Sequence, residues 1–248
     1  MKYALLLLGV TLGAGAHAAD HATAASMRAN TLTAEQQRAG WQLLFDGKST
    51  AGWHRYNGKT IGKAWMVDGD SLHLDASHMQ GGWQAPDGGD IVHDGVYANF
   101  DLRLEWKIAT AGNSGVMFYV QEGRQYQYPW QTGIESQVLD NVAGDDAKYD
   151  RHRAGDLYEL VAGKPEAVRP ANEWNRLEIV SDHGRLVEKL NGTVVLETTL
   201  WDEHWKRLIA GSKFRDMPGF GMFRSGKIAL QDHGADVWFR NIMIRELK

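Results

Sequence analysis

The stretch FDLRLEWKI, residues 100–108, decides the fold of this chain. Its apolar side chains alternate strictly with charged ones, as in a strand that turns one face to a core and the other to water or a ligand. The apolar set is Phe100, Leu102, Leu104, Trp106 and Ile108. This alternation predicts an antiparallel strand rather than a helix.

Similar runs follow at SGVMFYV, GIESQVLD, NRLEIVS, RLVEKL, TVVLET and KIALQDHG. Asn191-Gly192, between two of these runs, is a strong hairpin signal. The clearest helix signal is TAEQQRAG, where Thr33 and Gln36 match a capping box and Gly40 marks the helix end. We therefore predict an all-β sandwich of two antiparallel sheets with one short N-terminal helix.

The chain of 248 residues has room for one ample sandwich domain, predicted over 40–248 after a leader and short helix at 19–39. The less regular stretches 75–95, 140–156 and 201–225 are predicted to be long loops. Such loops rim an open face and carry function more often than strands do.

The N-terminus reads MKYALLLLGVTLGAGAHA, with Lys2, an apolar run and then small residues. This pattern predicts a signal peptide over 1–18, cleaved after Ala18. The apolar run is too short for a membrane-spanning helix, and no later segment is long enough. Because the chain has no Cys, neither a disulfide nor a lipid-modified cysteine is expected. We predict a bacterial periplasmic or secreted protein without a membrane partner.

The composition limits the partners of the protein. With 27 basic and 31 acidic residues and no basic stripe, the chain has no visible source of nucleic-acid affinity. No protein partner is inferred. The 10 Trp residues suit stacking on sugar rings, although core packing is the commoner use of any single Trp.

Two segments carry polar groups in otherwise apolar surroundings. In GIESQVLDN, residues 133–141, Glu135 and Gln137 share one face of the predicted strand, while Asp140 closes it and could simply cap the turn. In IALQDHG, Gln231 and His233 share one face and Asp232 takes the other. One of these two polar sets must therefore face a cleft or lie beyond the strand end. A histidine bonded to the backbone is the alternative for His233.

Other chemistries find little support in the sequence. The loop DNVAGDDAKYDRH is rich in carboxylates that could hold a hard cation, but a solvated loop is the preferred interpretation. It contains Asp140, Asp145, Asp146, Asp150 and His152. The sequence contains no H-E-x-x-H zinc-binding motif, no G-x-S-x-G motif of a nucleophilic serine and no glycine-rich phosphate-binding loop. The sequence requires no cofactor, and it is compatible with a bound divalent cation.

Several segments together resemble one family. They include GWQLLFDGKSTAGW, WMVDGDSL, YANFDLRLEWKI, GNSGVMFYV, GIESQVLDN, AGDLYEL, NEWNRLEI, LNGTVVLE and GKIALQDHGADVWFRNIMIREL. Their order, from Gly40 to Leu247, is similar to that of the 3-keto-disaccharide hydrolases, also described as 3-keto-α-glucoside 1,2-lyase/3-keto-2-hydroxy-glucal hydratases. The resemblance implies a concanavalin A-like jelly roll, which agrees with the alternation.

The resemblance also implies an activity, the cleavage of a glycoside whose C3 hydroxyl is already oxidised to a ketone. The ketone acidifies the C2 proton, so the C1 oxygen can leave by elimination, and water added to the resulting 2-hydroxy-glucal completes a net hydrolysis. Such a site needs a base near C2, a hydrogen-bonding or positive group at the C3 oxygen and a proton donor for the leaving oxygen.

The resemblance suggests residues for these roles. Glu135 is the candidate base, and His233 is the candidate proton donor or the partner of the enolate oxygen. Sugar contacts are expected from Glu105, Asn113, Gln137, Asp140, Tyr158, Lys213, Gln231 and Arg240, with a structural salt bridge as the alternative for Arg240. The sequence departs from the family at Tyr119, where many relatives carry Arg.

Two other functions compete with this one. A non-catalytic carbohydrate-binding module with aromatic loops would use Trp53, Trp65, Trp83 and Trp130 for stacking alone. A retaining glucanase on the same fold would need paired acidic residues on one strand, as in E-x-D-x-x-E, whereas GIESQVLD offers E-x-Q.

Overall fold

The computed structural model describes residues 28–248, so the predicted signal peptide and most of the leader lie outside the described residues. Helix α1 spans Ala34–Arg38. The hydroxyl of Thr33 accepts a hydrogen bond from the backbone N–H of Gln36, whose side-chain oxygen accepts one from the N–H of Thr33. The predicted capping box and short helix are confirmed.

Strands dominate the rest of the described chain. They are β1 (Gln42–Leu43), β2 (Trp53–Arg55), β3 (Trp65–Asp68), β4 (Ser71–Leu74), β5 (Ile91–His93), β6 (Phe100–Ile108), β7 (Asn113–Val120), β8 (Ile134–Leu139), β9 (Asn175–Asp182), β10 (Arg185–Leu190), β11 (Thr193–Thr199), β12 (Lys227–Leu230) and β13 (Val237–Glu246). Two 3-10 turns, Pro129–Gln131 and Asp145–Lys148, lie in the connections.

The strands form two antiparallel sheets. The larger sheet runs β11-β10-β9-β6-β13-β4-β3, with β1 also paired to β13, and the smaller runs β2-β5-β12-β7-β8. Apolar side chains of both sheets, such as Leu102 and Leu104 of β6 and Ile134 and Val138 of β8, belong to one buried core. The predicted all-β sandwich of two antiparallel sheets is confirmed.

The hairpin between β10 and β11 turns at Asn191 and Gly192, whose φ angles are +52° and +84°. Two successive residues of positive φ match the right-handed twist of the flanking strands, which explains the Asn-Gly pair. The sequence prediction of this hairpin is confirmed.

Two predicted loops are partly wrong, because residues 75–95 include strand β5, Ile91–His93, and residues 201–225 contain helix α2, Glu203–Ala210. The carboxylate of Asp202 accepts a hydrogen bond from the backbone N–H of Trp205 at 2.7 Å and so caps the helix, while the Trp205 side chain is fully buried. Its apolar residues Trp205, Leu208 and Ile209 lie at helical spacing and pack on the core, but a pattern of two turns is short and the helix depends on this packing. Between residues 28 and 248 no helix is long and apolar enough to cross a membrane.

A carboxyl group lies inside the sandwich. The side chain of Glu188, on β10, is fully buried, and one of its oxygens accepts a hydrogen bond from the hydroxyl of Ser136 at 2.7 Å. The other oxygen has no partner among the described residues. Burial raises the pKa of Glu188 to about 8, so this group is a neutral acid at physiological pH.

Tyr119, the position where the chain departs from the family pattern, lies in the core. Its φ of +60° accompanies a register irregularity between β7 and β12. The phenol donates a hydrogen bond to the backbone carbonyl of Ala98 at 2.6 Å and lies 2.7 Å from the hydroxyl of Ser181. This tyrosine therefore joins the two sheets.

Candidate active site

A cavity of about 350 Å³ lies over the outward face of the smaller sheet. On β8, Ile134, Ser136 and Val138 point into the sandwich, so Glu135 and Gln137 must point away from it. All six residues of β8 are nevertheless buried, because loops cover this outward face. The cavity is lined by Trp83, Asn113, Trp130, Glu135, Gln137, Tyr158, Lys213, Phe214, Met217, Gln231 and His233.

Glu135 lies deep in this cavity and is only 6% exposed. It stands opposite Met117 in the β7–β8 pairing, and its carboxylate crosses the bare backbone of Gly115. A Cβ atom at position 115 would lie 2.0 Å from a carboxylate oxygen of Glu135, so any side chain there would displace the carboxylate. Glycine in the middle of this strand therefore makes room for Glu135.

The environment of Glu135 favours the neutral acid at physiological pH. Burial, followed by the nearby carboxylate of Asp90, raises the pKa of this carboxyl to about 8, although the Lys213 ammonium and a hydrogen bond with Gln231 act in the opposite direction. A carboxyl group with a pKa near the working pH can both accept and return a proton, as a general base requires.

The amides beside Glu135 offer free hydrogen-bonding capacity. The amide N–H of Gln137 donates to the side-chain oxygen of Asn113 at 3.4 Å, and Asn113 in turn donates to Asp146 at 3.3 Å. The side-chain oxygens of Gln137 and Gln231 are both buried and find no partner among residues 28–248. Buried acceptors without partners are costly, so a ligand with hydroxyl groups would satisfy them.

Tyr158 and Lys213 form a pair at the cavity. The Lys213 ammonium donates a hydrogen bond to the phenol oxygen of Tyr158 at 2.9 Å. The backbone N–H of Tyr158 donates to the carbonyl of Glu135 at 3.0 Å, which ties this tyrosine to β8. Burial, followed by the charges of Asp146 and Glu135, raises the pKa of Tyr158 well above its usual range. The phenol therefore keeps its hydrogen, which it can donate to a ligand oxygen.

His233 lies just beyond the end of β12 and is exposed at the cavity. Its ring centroid is 6.1 Å from that of Trp83. Neither ring nitrogen makes a hydrogen bond within the part of the chain that the structure describes, so both are available to a ligand. The structure thus places Glu135 and His233, from β8 and from the end of β12, at one cavity.

Asp232, between Gln231 and His233, has a structural role. It is fully buried and accepts hydrogen bonds from the backbone N–H groups of Ala85 and Gly89, the latter at 2.7 Å. Its own N–H donates to Asp90 at 3.0 Å, and burial raises the pKa of Asp90 to about 7. These bonds fix the loop that carries Trp83 against the end of β12.

Glu105 and Arg240 lie elsewhere, which corrects the expectation that they contact the sugar. They are paired across β6 and β13 in the larger sheet, and the Arg240 guanidinium donates to Glu105 at 2.8 Å. Arg176 donates to the other oxygen of Glu105 at 3.0 Å. Glu105 shares no face with Asn113, because the apolar neighbours of Glu105 fill the core and direct it to the outside of the larger sheet. Arg240 therefore forms a structural salt bridge, which was the alternative expected from the sequence.

Asp140 is also absent from the cavity lining. Its two oxygens accept hydrogen bonds from the backbone N–H groups of Ala111 at 2.8 Å and Val142 at 3.0 Å, so it caps the turn after β8. In the neighbouring loop, His152 bonds Glu159 at 2.7 Å. Within residues 28–248 no group of three or more His, Asp or Glu side chains is arranged to hold a metal ion.

The aromatic candidates divide into two pairs. Trp53 and Trp65 are core residues, 5% and 2% exposed, and their indole N–H groups donate to backbone carbonyls. Trp83 and Trp130 line the cavity. Sequence reasoning did not select Phe214, Met217 or Gly115 for the site, although a glycine inside a strand is itself a signal of close approach.

A concave site with a buried carboxyl, free amide oxygens, a phenol–ammonium pair and indole rings is typical of a protein that binds a small molecule with both polar groups and apolar faces. A solved structure of a putative glycosyl hydrolase from Parabacteroides distasonis is 31% identical, with a TM-score of 0.79, and the match covers 89% of this chain and all of that one. Another putative glycosyl hydrolase from the same organism, 24% identical with a TM-score of 0.60 and 84% of each chain covered, shares the fold.

The family model of the 3-keto-alpha-glucoside-1,2-lyase-like domain matches residues 40–245. A protein named 3-keto-disaccharide hydrolase from Bacteroides thetaiotaomicron is 33% identical over 231 residues, which cover 84% of this chain and 79% of the relative. The chain therefore belongs to the 3-keto-alpha-glucoside-1,2-lyase-like family. The resemblance read from the sequence motifs is confirmed, and these findings support a carbohydrate hydrolase.

Proposed function

We propose that the protein cleaves the glycosidic bond of 3-keto-glycosides by elimination followed by hydration. The observation that carries this proposal is the position of Glu135, a nearly buried carboxyl with a pKa near 8, in one cavity with the Tyr158–Lys213 pair and with unsatisfied amide oxygens. Membership in the family supports the same chemistry.

In the first step the Glu135 carboxylate takes the proton from C2 of the bound sugar. The electron pair of the C2–H bond forms a C2=C3 double bond, and the C3 carbonyl oxygen becomes an enolate. The Tyr158 hydroxyl, supported by the Lys213 ammonium, donates a hydrogen bond to this oxygen and stabilises its charge.

In the second step the enolate collapses. The C3 carbonyl re-forms, a C1=C2 double bond appears, and the bond from C1 to the leaving oxygen breaks. His233 gives a proton to this oxygen, so the leaving group departs as an alcohol and 3-keto-2-hydroxy-glucal stays bound.

Hydration reverses this sequence with water in place of the alcohol. His233 takes a proton from water as its oxygen adds to C1, the enolate forms again at C3, and Glu135 returns its proton to C2. The sum of both stages is the hydrolysis of the glycoside, and each proton transfer is assigned to a side chain of the protein.

The direct test uses the purified protein with 3-keto-trehalose or a 3-keto aryl glucoside, before and after dialysis against a chelator. Release of the leaving group, with transient 3-keto-2-hydroxy-glucal seen by NMR, would support the proposal. A carbohydrate-binding module, the alternative that the indole rings of Trp83 and Trp130 favour, would bind these sugars and leave them intact.

We expect the rate of C2-proton exchange in 3-keto-glucose to rise about tenfold per pH unit up to about pH 8 and then level off, because only ionised Glu135 accepts the C2 proton and this step does not use the proton of His233. Asp90→Asn removes a neighbouring negative charge and keeps an acceptor for the N–H of Asp232, so the rise should move to lower pH. Lys213→Met removes a positive charge and should move it to higher pH. Inflections that stay in place in both variants would exclude Glu135 as the titrating base.

We also propose that the protein is exported, on the strength of the N-terminal sequence pattern. When the full chain is expressed with its N-terminus in a Gram-negative host, mass spectrometry of the periplasmic fraction should find a mature protein that begins at Ala19. A protein that keeps Met1 and stays with the cytoplasmic fraction would contradict export.

A further inference from the structure

One side of the cavity is aromatic. Trp83 and Trp130 line it, and Tyr128 lies between them, with its ring parallel to that of Trp130 at 5.0 Å and edge-on to that of Trp83 at 5.5 Å. We call Trp83, Tyr128 and Trp130 the aromatic wall. Trp83 is 40% exposed, so part of its indole surface is open to a ligand.

The hydrogen-bonding groups of the cavity are distributed differently. Glu135 and Gln137 come from β8 and Asn113 from β7, Gln231 follows β12, and the Tyr158–Lys213 pair is tied to β8. These groups cluster on and beside the sheet, whereas the aromatic wall comes from the two loops before β5 and β8. The wall offers ring surfaces, two indole N–H groups and the phenol of Tyr128, which already accepts a hydrogen bond from the side-chain amide of Gln127 at 3.2 Å. It can therefore hold a ligand mainly by contact with ring faces, with little directional selection.

The position of His233 connects the aromatic wall to one end of the substrate. Its ring lies 6.1 Å from that of Trp83, at an interplanar angle of 60°, and both ring nitrogens are free within the described residues. In the proposed reaction His233 gives its proton to the leaving oxygen, so the leaving group must lie beside Trp83.

We propose that the aromatic wall is the subsite for the leaving group, and that it accepts ring-shaped leaving groups of different chemistry, sugar or aryl, by contact with their faces. The 3-keto ring is then the part of the substrate that the polar groups select. This inference rests on the proposed function, because it uses the assigned role of His233.

The two stages of the reaction provide the test. Elimination from 3-keto-trehalose or 3-keto 4-nitrophenyl glucoside involves a leaving group, whereas hydration of 3-keto-2-hydroxy-glucal involves none. Trp83→Ala should lower kcat/KM for both glycosides about tenfold or more, as expected for loss of a stacking indole, and change the hydration less than about twofold. Trp83→Phe, which keeps an aromatic face, should recover much of the loss.

Trp174→Ala is the matched control, because this indole packs 4.0 Å from the guanidinium of Arg240, outside the cavity lining. It should leave both stages unchanged. An equal loss of elimination and hydration in Trp83→Ala would mean that Trp83 contacts the 3-keto ring, and no loss in either stage would remove the wall from the site. Both outcomes overturn this inference while the proposed function stands. Wild-type protein inactive on all three compounds would overturn the proposed function itself.

Discussion

Replacing Glu135 by Gln is expected to lower kcat on a 3-keto-glycoside by about 10³-fold or more, because the amide cannot take the C2 proton. Gln has nearly the same shape and is neutral, as Glu135 is below pH 8, so the fold should persist. The measurement is turnover at pH 8.5 together with exchange of the C2 proton of 3-keto-glucose in deuterated water, followed by NMR. Both should be lost together.

Glu105→Gln is the matched control for this change, since it makes the same chemical replacement on the outside of the larger sheet. It should weaken the ion pairs with Arg176 and Arg240 and leave turnover and exchange near the wild-type values. If Glu135→Gln still exchanged the C2 proton at the wild-type rate, the base would have to be another group.

Replacing Tyr158 by Phe is expected to lower kcat by about 10²–10³-fold, the usual effect of removing one donor to a developing oxyanion. The reason is that the phenol, which accepts a hydrogen bond from Lys213 and keeps its own hydrogen, is proposed to donate to the C3 oxygen. KM should change much less than kcat, because the interaction strengthens as the enolate forms.

Tyr149→Phe serves as the control, because Tyr149 is 49% exposed and lies in the neighbouring loop, outside the cavity that contains Glu135. Isothermal titration with a 3-keto-sugar separates binding from chemistry in the Tyr158 variant. A large loss of affinity with unchanged kcat would show that Tyr158 only holds the ground-state sugar, contrary to the proposed role.

Alternation and turn chemistry predicted most of the fold, because both are local properties. The strand of residues 100–108, the hairpin at Asn191 and the cap at Thr33 depend on neighbours in sequence, and the structure has all three. Helix α2 was missed because its apolar pattern of Trp205, Leu208 and Ile209 spans only two turns, a length at which a helix depends on tertiary packing.

The site was predicted in part, and the errors have one cause. Alternation shows that Glu105 and Glu135 both point away from the core, but it does not tell which sheet carries each strand or which outward face the loops cover. Glu135 lies on the smaller sheet under loops, and Glu105 lies on the larger sheet between arginines. The placement of Trp83 depends on bonds from Asp232 to residues more than 140 positions away, which no local pattern contains.

Glu188, the carboxyl group buried between the sheets, makes the stability of the fold depend on pH in the same range as the proposed catalysis. Glu188 is neutral when folded up to about pH 8 but ionises near pH 4.5 when unfolded, so its contribution to stability is intact at low pH and is lost as pH rises toward 8, by about 1.4 kcal/mol per pH unit. Glu135 acts with the same sign. A rise in pH that ionises Glu135 for catalysis therefore also lowers the free energy of unfolding. The pH at which activity lasts longest should lie below the pH of fastest turnover.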